Sequence, residues 1–334
     1  MTARTSFPIT AALLALVVAG CATDYKVRHT TAVTNMTRIT TRATPEVAPE
    51  VSPDGSKVVF AGMVRNEEGR RNNYDLWISE PRKKLHQYMR ATDNECDDCN
   101  PVWGPQGKVI VFDSRRTRHS AVWEKPADGI GGCRQVTGED MFDDLVTPDI
   151  SVHGDFCYAA TESCKPSKQI EGRYSRPHRI WVRAYGGQNA TELCVGITPK
   201  WSPDGSRIVF ASTGTKTNWD IWTIDKNGSN LTQITSHPAN DIQPTWSPDG
   251  KRIAFSSNRA SSWLERLLGD HNYDIWVVNA RGGNAIQLTN YSKFEGHPSW
   301  SIDGDIFFHS YGGFFLKNWD IWRMTTRLPG PVPR

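Results

Sequence analysis

Short runs of alternating apolar and polar residues recur along the chain. "RIVFAS" at 207–212 and "RIAFSS" at 252–257 are representative, with β-branched and aromatic residues in period two, the pattern of a strand buried on one face. A tight turn precedes each run: "VSPDG" at Val51, "WGPQG" at Trp103, "ISVHG" at Ile150, "WSPDG" at Trp201 and Trp246, and "WSIDG" at Trp300. In Ser-Pro-Asp-Gly, proline presets φ at the second turn position, aspartate suits the third, and glycine takes the positive φ of a bulged hairpin end. A variable loop then leads to a second strand ending in tryptophan, at Trp77, Trp123, Trp181, Trp222, Trp276 and Trp322. A Gly-rich turn and a last strand such as "LTQIT" complete the unit. Each unit therefore predicts four strands: a ahead of the turn, then b, c and d.

The unit recurs about every 50 residues, the length of one four-stranded propeller blade. A proline stands two residues before each turn, at Pro49, Pro101, Pro148, Pro199, Pro244 and Pro298. The expected fold is all-β, a six-bladed β-propeller of four-stranded antiparallel blades over residues 35–325. No strand d follows Trp322, whereas "MTRIT" at Met36–Thr40 has the d pattern. Thr40 precedes Pro49 by the interval that separates Thr92 from Pro101, Thr235 from Pro244 and Thr289 from Pro298. An N-terminal strand is thus expected to complete the last blade, closing the ring and leaving no open sheet edge.

The pattern WSPDGxxIxF…DIW…LT resembles the propeller repeats of the TolB family, which also precede catalytic domains in prolyl-oligopeptidase-like peptidases. The resemblance spans about residues 35–325. It is weaker in blades 2 and 3, where "GPQG" and "SVHG" replace the turn and no aspartate precedes the c-strand tryptophan. It implies the repeat family, and neither the identity nor the particular partners of TolB, which has a further globular domain and no lipid anchor.

The N-terminus adds an address. Arg4, an apolar run from Ile9 to Val18 and the ending "VAGC" form a secretory signal whose end resembles a bacterial lipobox. The apolar run is too short to span a bilayer. Residues 1–20 are read as the signal, Cys21 as the lipidated first mature residue, 21–34 as a tether and 326–334 as a C-terminal tail. Ala22 in place of Asp favours the outer membrane. Because strand d begins on the SPDG face, the tether is expected to leave from there and turn that face toward the membrane.

A formal net charge of +3 is too small and too scattered for a nucleic-acid binder. Cys96, Cys99, Cys133, Cys157, Cys164 and Cys194 remain after Cys21, an even number that suggests disulfides in an exported chain and allows 15 pairings. Local bridges Cys96–Cys99 and Cys157–Cys164 would leave Cys133 with Cys194. "CDDC" has neither the histidine of a haem motif nor the second pair of a zinc site.

No Gly-x-Ser-x-Gly elbow and no phosphate-cradling motif is present, so the chain is expected not to be an enzyme and to need no cofactor. Acidic connections with Asp97, Asp98, Asp143 and Asp144 are weak candidates for a metal and follow no known calcium loop. His237 and His297 lie on d-to-a connections near the channel mouth. The repeated Asp75, Asp220, Asp274 and Asp320 are expected to hold the b–c loop through backbone amides, and the repeated tryptophans to fill the wedges between blades. Two b–c insertions break the repeat, one with Trp263, Leu264, Leu267 and Leu268 at helical spacing, the other with Phe314, Phe315 and Leu316. On adjacent blades they would form one apolar patch, the expected surface for an envelope protein partner. Fold-level analogy leaves other classes open: a calcium-dependent lactonase or quinoprotein dehydrogenase, or a sensor of peptidoglycan or other glycans.

Overall fold

The computed structural model describes residues 30–65, 72–83, 87–117, 119–137, 142–162, 177–187, 189–215, 217–261, 272–291, 294–312 and 318–328. Residues 1–29, with Cys21, lie outside that set, as do the two apolar insertions at 262–271 and 313–317 and Cys164.

Six four-stranded antiparallel sheets surround one axis. Blade 1 contains β2 (Glu46–Val51), β3 (Val58–Val64), β4 (Asn73–Ser79) and β5 (Tyr88–Arg90), and blade 2 contains β6 (Asp98–Trp103), β7 (Val109–Ser114), β8 (Ala121–Pro126) and β9 (Arg134–Gln135). Blade 3 contains β10 (Phe142–Ile150), β11 (Phe156–Glu162), β12 (Arg179–Arg183) and β13 (Ala190–Val195). Blade 4 contains β14 (Ile197–Trp201), β15 (Arg207–Ser212), β16 (Asp220–Asp225) and β17 (Thr232–Gln233). Blade 5 contains β18 (Asp241–Trp246), β19 (Arg252–Ser257), β20 (Asp274–Asn279) and β21 (Ile286–Gln287). Blade 6 combines β22 (Glu295–Trp300), β23 (Asp305–Gly312) and β24 (Asn318–Thr326) with the N-terminal β1 (Val33–Arg38). The chain closes as the spacing predicts: β1 pairs antiparallel with β24, Met36 opposite Met324 and Arg38 opposite Trp322.

A threonine just after the d strand carries this register in five of the six blades. Thr40, Thr92, Thr137, Thr235 and Thr289 each accept, through Oγ1, the backbone N–H of the residue that precedes the c-strand tryptophan, at 2.8–3.0 Å. The outermost strand, short of ladder bonds, is pinned by this side chain. The c-strand aspartates act beside it and correct one expectation. Asp75, Asp220 and Asp274 accept the amides of Asn94, His237 and Tyr291 at 3.0–3.3 Å, so among the described residues they hold the d–a connection, where the sequence had pointed to the b–c loop. Each carboxylate sits at the start of strand c, where the chain leaving strand d passes within reach.

Buried residues of neighbouring blades form shared clusters. Phe60, Phe112, Phe210, Phe255 and Phe308, one on each of five b strands, are at most 1% exposed. The c-strand tryptophans pack into these clusters or against their edges, as expected.

At the junction that follows the clasp, Arg42 lies with its guanidinium 3.7 Å from the Trp77 ring centre and its Nε 3.6 Å from Glu46. The Glu46 side chain is fully buried, and burial pushes its pKa up to about 7 against the opposing pull of Thr40 and Arg42. A carboxyl whose pKa is raised by folding favours the folded state while protonated, so stability falls as pH rises from the ordinary carboxylate range to about 7. Glu46→Gln is expected to stabilise the protein by about 1–3 kcal/mol at pH 8 and to change little at pH 4.5. Urea unfolding at the two pH values measures this, and equal effects at both would refute it.

Candidate functional site

Each strand a is interrupted at its proline. The ladder shifts register in β2, β6, β10, β14, β18 and β22 across the X-Pro step. The residues before the prolines, Ala48, Asn100, Thr147, Thr198, Gln243 and His297, all have φ between 47° and 54°. None is glycine, and proline disfavours helical backbone in the residue before it, so each step carries strain of the order of 1 kcal/mol or more. The six bulges meet at the axis and narrow the channel to a throat of about 40 Å³. That volume has room for a few waters at most.

Below the throat, on the face of the Ser-Pro-Asp-Gly turns, the channel widens into a funnel of about 550 Å³. Its walls carry Trp103, Trp201, Trp246 and Trp300, with Val51 and Ile150 at the same position in the remaining blades. Its rim is the second turn position of every blade: Pro53, Pro105, Val152, Pro203, Pro248 and Ile302. Val152 is 52% and Ile302 63% exposed, so the mouth is an apolar ring facing solvent. Grooves between blades 2 and 3 and between blades 4 and 5 share rim residues with it.

The floor is charged. Lys200 of blade 4 reaches across the axis to Glu50 of blade 1, Nζ to Oε2 at 3.2 Å, and lies 3.6 Å from Asp149 of blade 3. Blades 1 and 4 face each other across the ring, so this ion pair is a crossbar that closes the funnel. Neighbouring blades fix its parts. The Trp103 indole N–H donates to the Glu50 carbonyl at 2.9 Å, that of Trp246 to the Lys200 carbonyl at 3.2 Å, and the Trp201 amide to Asp149 Oδ2 at 2.7 Å. Burial opposes the charge on Lys200, but Glu50 and Asp149 more than offset it and hold the ammonium pKa above its ordinary value. Burial pushes both carboxyls up, with Lys200 pulling against it. Two carboxyls share one ammonium, so the floor prefers cationic company.

The other side of the throat is aromatic. His309, 4% exposed, accepts the Ala48 amide through Nδ1 at 3.1 Å, and its ring centre lies 5.2 Å from that of His297 and 4.9 Å from that of Trp319. Burial lowers the His297 pKa to about 4, so both imidazoles are neutral under ordinary conditions. His237, the other histidine singled out by the sequence, is used locally and accepts the Ala239 amide through Nδ1.

Residues 186–263 match the family model described as the TolB beta propeller domain. Over that stretch the repeat is of TolB type. Solved structures agree on the fold over most of the chain. TolB from Acinetobacter baumannii superposes with a TM-score of 0.58 at 17% identity, covering 81% of this chain and 64% of that one. A putative TolB from Agrobacterium tumefaciens gives 0.59 at 19%, covering 90% and 100%, and oligogalacturonate lyase from Vibrio parahaemolyticus gives 0.58 at 14%, covering 90% and 95%. At these identities the likeness establishes the propeller alone, a ring common to a protein named TolB and to one named as a lyase. No curated protein sequence matches the chain.

Trp263, Leu264, Leu267, Leu268, Phe314, Phe315 and Leu316 lie outside the described residues, and so do the side chains of Asp143 and Asp144. Asp97 and Asp98 diverge: Asp97 accepts the Tyr74 amide at 2.9 Å, while Asp98 is fully buried against Arg116. Among the described residues, no group of three histidine, cysteine, aspartate or glutamate side chains is placed to hold a metal ion.

No disulfide joins Cys96, Cys99, Cys133, Cys157 and Cys194 to one another in the structure, and the expected Cys157–Cys164 bridge lies outside the described residues with Cys164. Cys133 precedes β9 of blade 2, whereas Cys194 lies on β13 of blade 3, packed beside the cluster that contains Cys157. Cys157 and Cys194 are separated by the whole of β12, opposite Val182 and Ile180 respectively, which puts their backbones about 10 Å apart, beyond disulfide reach. Burial raises the pKa of both thiols, Cys194 to about 12, so neither is a reactive thiolate.

Sequence reasoning missed the funnel. Its signal was present in the turn prolines, which were read for their fixed φ and not for the apolar ring that six of these turn positions make together.

Proposed function

We propose that the protein is a non-enzymatic, lipid-anchored propeller that binds an envelope protein, with Cys21 as the anchored residue and the turn-face funnel as the receptor for a segment of the partner. The funnel carries this reading. A blind cavity of about 550 Å³ with an apolar rim and a few convergent charges has the character of a site that swallows side chains. The excess of carboxyl over ammonium at its floor favours a segment with an apolar body and a basic tip.

The anchor fits the geometry. β1 begins on the turn face, so a tether from Cys21 draws the funnel toward the membrane, where a partner held in the same envelope can offer an extended segment. Lipidation itself rests on the lipobox-like ending of the N-terminal signal.

A photoreactive residue at Ile302 or Val152 is expected to crosslink one envelope protein in intact cells, and Pro203→Asp to reduce that product at least tenfold. Met89, 42% exposed on the outer strand of blade 1, is the control position. Equal labelling from Met89, or none from either rim position, would refute funnel capture.

A further inference from the structure

Among the described residues, the five large apolar side chains that are more than half exposed are Ile130, Val152, Tyr185, Leu231 and Ile302, and all five lie in turns of the Ser-Pro-Asp-Gly face. Single exposed apolar residues are ordinary, whereas their collection on one face marks a surface that meets something apolar. Three of the five are neighbours. Ile130 lies in the turn from β8 to β9 of blade 2, Val152 in the turn from β10 to β11 of blade 3, and Tyr185 in the turn from β12 to β13 of the same blade. Val152 and Tyr185 line one groove of about 570 Å³ between blades 2 and 3, with Pro105 and Val109 on its other wall.

The turns themselves are braced. Asp128 Oδ1 accepts the Ile130 amide at 2.9 Å, Lys125 Nζ donates to the Gly131 carbonyl at 2.7 Å, and Gly129 and Gly131 supply the φ of 80° and 97° that the reversal around Ile130 requires. Asp155 Oδ1 accepts the Tyr185 amide at 2.9 Å, and the Tyr185 ring rests on Gly154, where a Cβ would stand 2.7 Å from it. Ile130 and Tyr185 nevertheless remain 76% exposed. Nearby arginines are engaged within the protein: Arg134 pairs with Glu124 at 2.7 Å, and Arg183 donates to the Gly187 carbonyl at 2.7 Å. An aliphatic tip beside an amphipathic aromatic, with little free charge around it, suits the boundary between lipid headgroups and acyl chains.

The entry point of the tether gives this edge its use. Thr30 enters beside blade 5, its amide donating to the Leu288 carbonyl at 3.0 Å and its hydroxyl to the Gln287 carbonyl at 2.8 Å, and β1 then joins blade 6. From Cys21 to Thr30 the chain reaches at most about 30 Å. In a six-bladed ring, blades 2 and 3 stand opposite blades 5 and 6. We propose that Ile130, Val152 and Tyr185 insert into a phospholipid surface, so that the turn face rests on the bilayer by blades 2 and 3 while the tether holds the far side. The contact rests on the anchored reading, because the tether keeps the apolar edge at high effective concentration beside lipid. The slack of the tether lets blades 5 and 6 stand off the surface, which leaves the funnel open to a partner segment from that side.

The test uses protein matured in cells from the full chain and added to vesicles of phosphatidylethanolamine and phosphatidylglycerol, with brominated acyl chains as quencher. A polarity-sensitive fluorescent amino acid replaces Ile130, Tyr185 or Val195 in turn. Val195 ends β13, whose six residues carry it about 17 Å from the turn face, so it is the control within blade 3. Quenching at the first two positions is expected to exceed that at the third at least threefold. It is expected to persist from about 0.1 M to about 1 M salt, over which the Debye length falls from about 10 Å to about 3 Å. Tyr185→Asp is expected to reduce quenching at position 130 at least twofold, and Ile130→Asp that at position 185, with the melting temperature unchanged. Equal quenching at the three positions, its loss in salt, or no effect of either substitution would each overturn the proposal. The intact mass of the same protein reports the anchor separately: Cys21 without lipid would sink the anchored reading, while quenching would still decide the contact.

Discussion

A chain lacking residues 1–40 is expected to lose cooperative unfolding altogether. Without β1, strand β24 becomes an open edge, and Trp322, Met324 and Phe308, which share a buried cluster with Val33, face water. The bond between Thr40 and Ile321, which joins residues 281 positions apart, disappears as well. Ring closure distributes its benefit over all six blades, because each blade interface needs two flanking sheets. Near-ultraviolet circular dichroism and urea unfolding are the measurements, and a sharp two-state transition near wild-type stability would show that the clasp is dispensable. A milder variant calibrates the effect. Ile39 is 1% exposed in the cluster between blades 6 and 1, and Ile39→Ala is expected to cost about 2–5 kcal/mol while preserving cooperativity. Added in trans to the shortened chain, a peptide spanning residues 30–42 is expected to restore part of the lost signal.

The second large effect concerns the crossbar. Lys200→Met should destabilise the protein by about 3–5 kcal/mol at pH 7, because Glu50 and Asp149 then remain at the funnel floor without their cation. The sign of the pH dependence follows from the carboxyls. Burial already raises both pKa values, and loss of the ammonium removes the pull that opposed this rise. Acids whose pKa rises on folding stabilise the folded state while protonated, so the variant should regain stability as pH falls toward the ordinary carboxylate range. Wild type should show the smaller pH response. The double variant Lys200→Met with Glu50→Gln is expected to recover a substantial part of the loss, which a double-mutant cycle would report as coupling. If Lys200→Met were neutral at pH 7, or were destabilised further by acid, the crossbar would have no energetic role.

Much of the architecture was legible because it repeats. Turn, alternating strand, tryptophan and terminal threonine are local signals, and their spacing alone located the strand that closes the ring. What escaped were features made by closure itself. Glu50 and Lys200 lie in different repeats and look like solvated charges until blades 1 and 4 face each other across the axis. The six residues before the prolines are chemically unlike one another, so nothing in their side chains announces a common left-handed backbone. Their conformation follows from the inner strands having to bulge where they crowd the axis. The aspartate beside the c-strand tryptophan was read as structural, but its hold on the d–a connection was not foreseen, since a sequence does not say which neighbouring segment passes within reach.

The pairing of β1 with β24 also imposes an order of events. Among the described strands β1 comes first in the chain and its ladder partner β24 comes last, so the backbone of β1 must wait through all six blades before finding that mate. Until then blade 6 cannot be completed, and the growing molecule is an open arc with an unpaired strand at its leading end. Such a species is prone to mispairing and benefits from a holding chaperone during synthesis or export. Closure is therefore also a completeness check, because a chain cut short before residue 318 has nothing for its first strand to join.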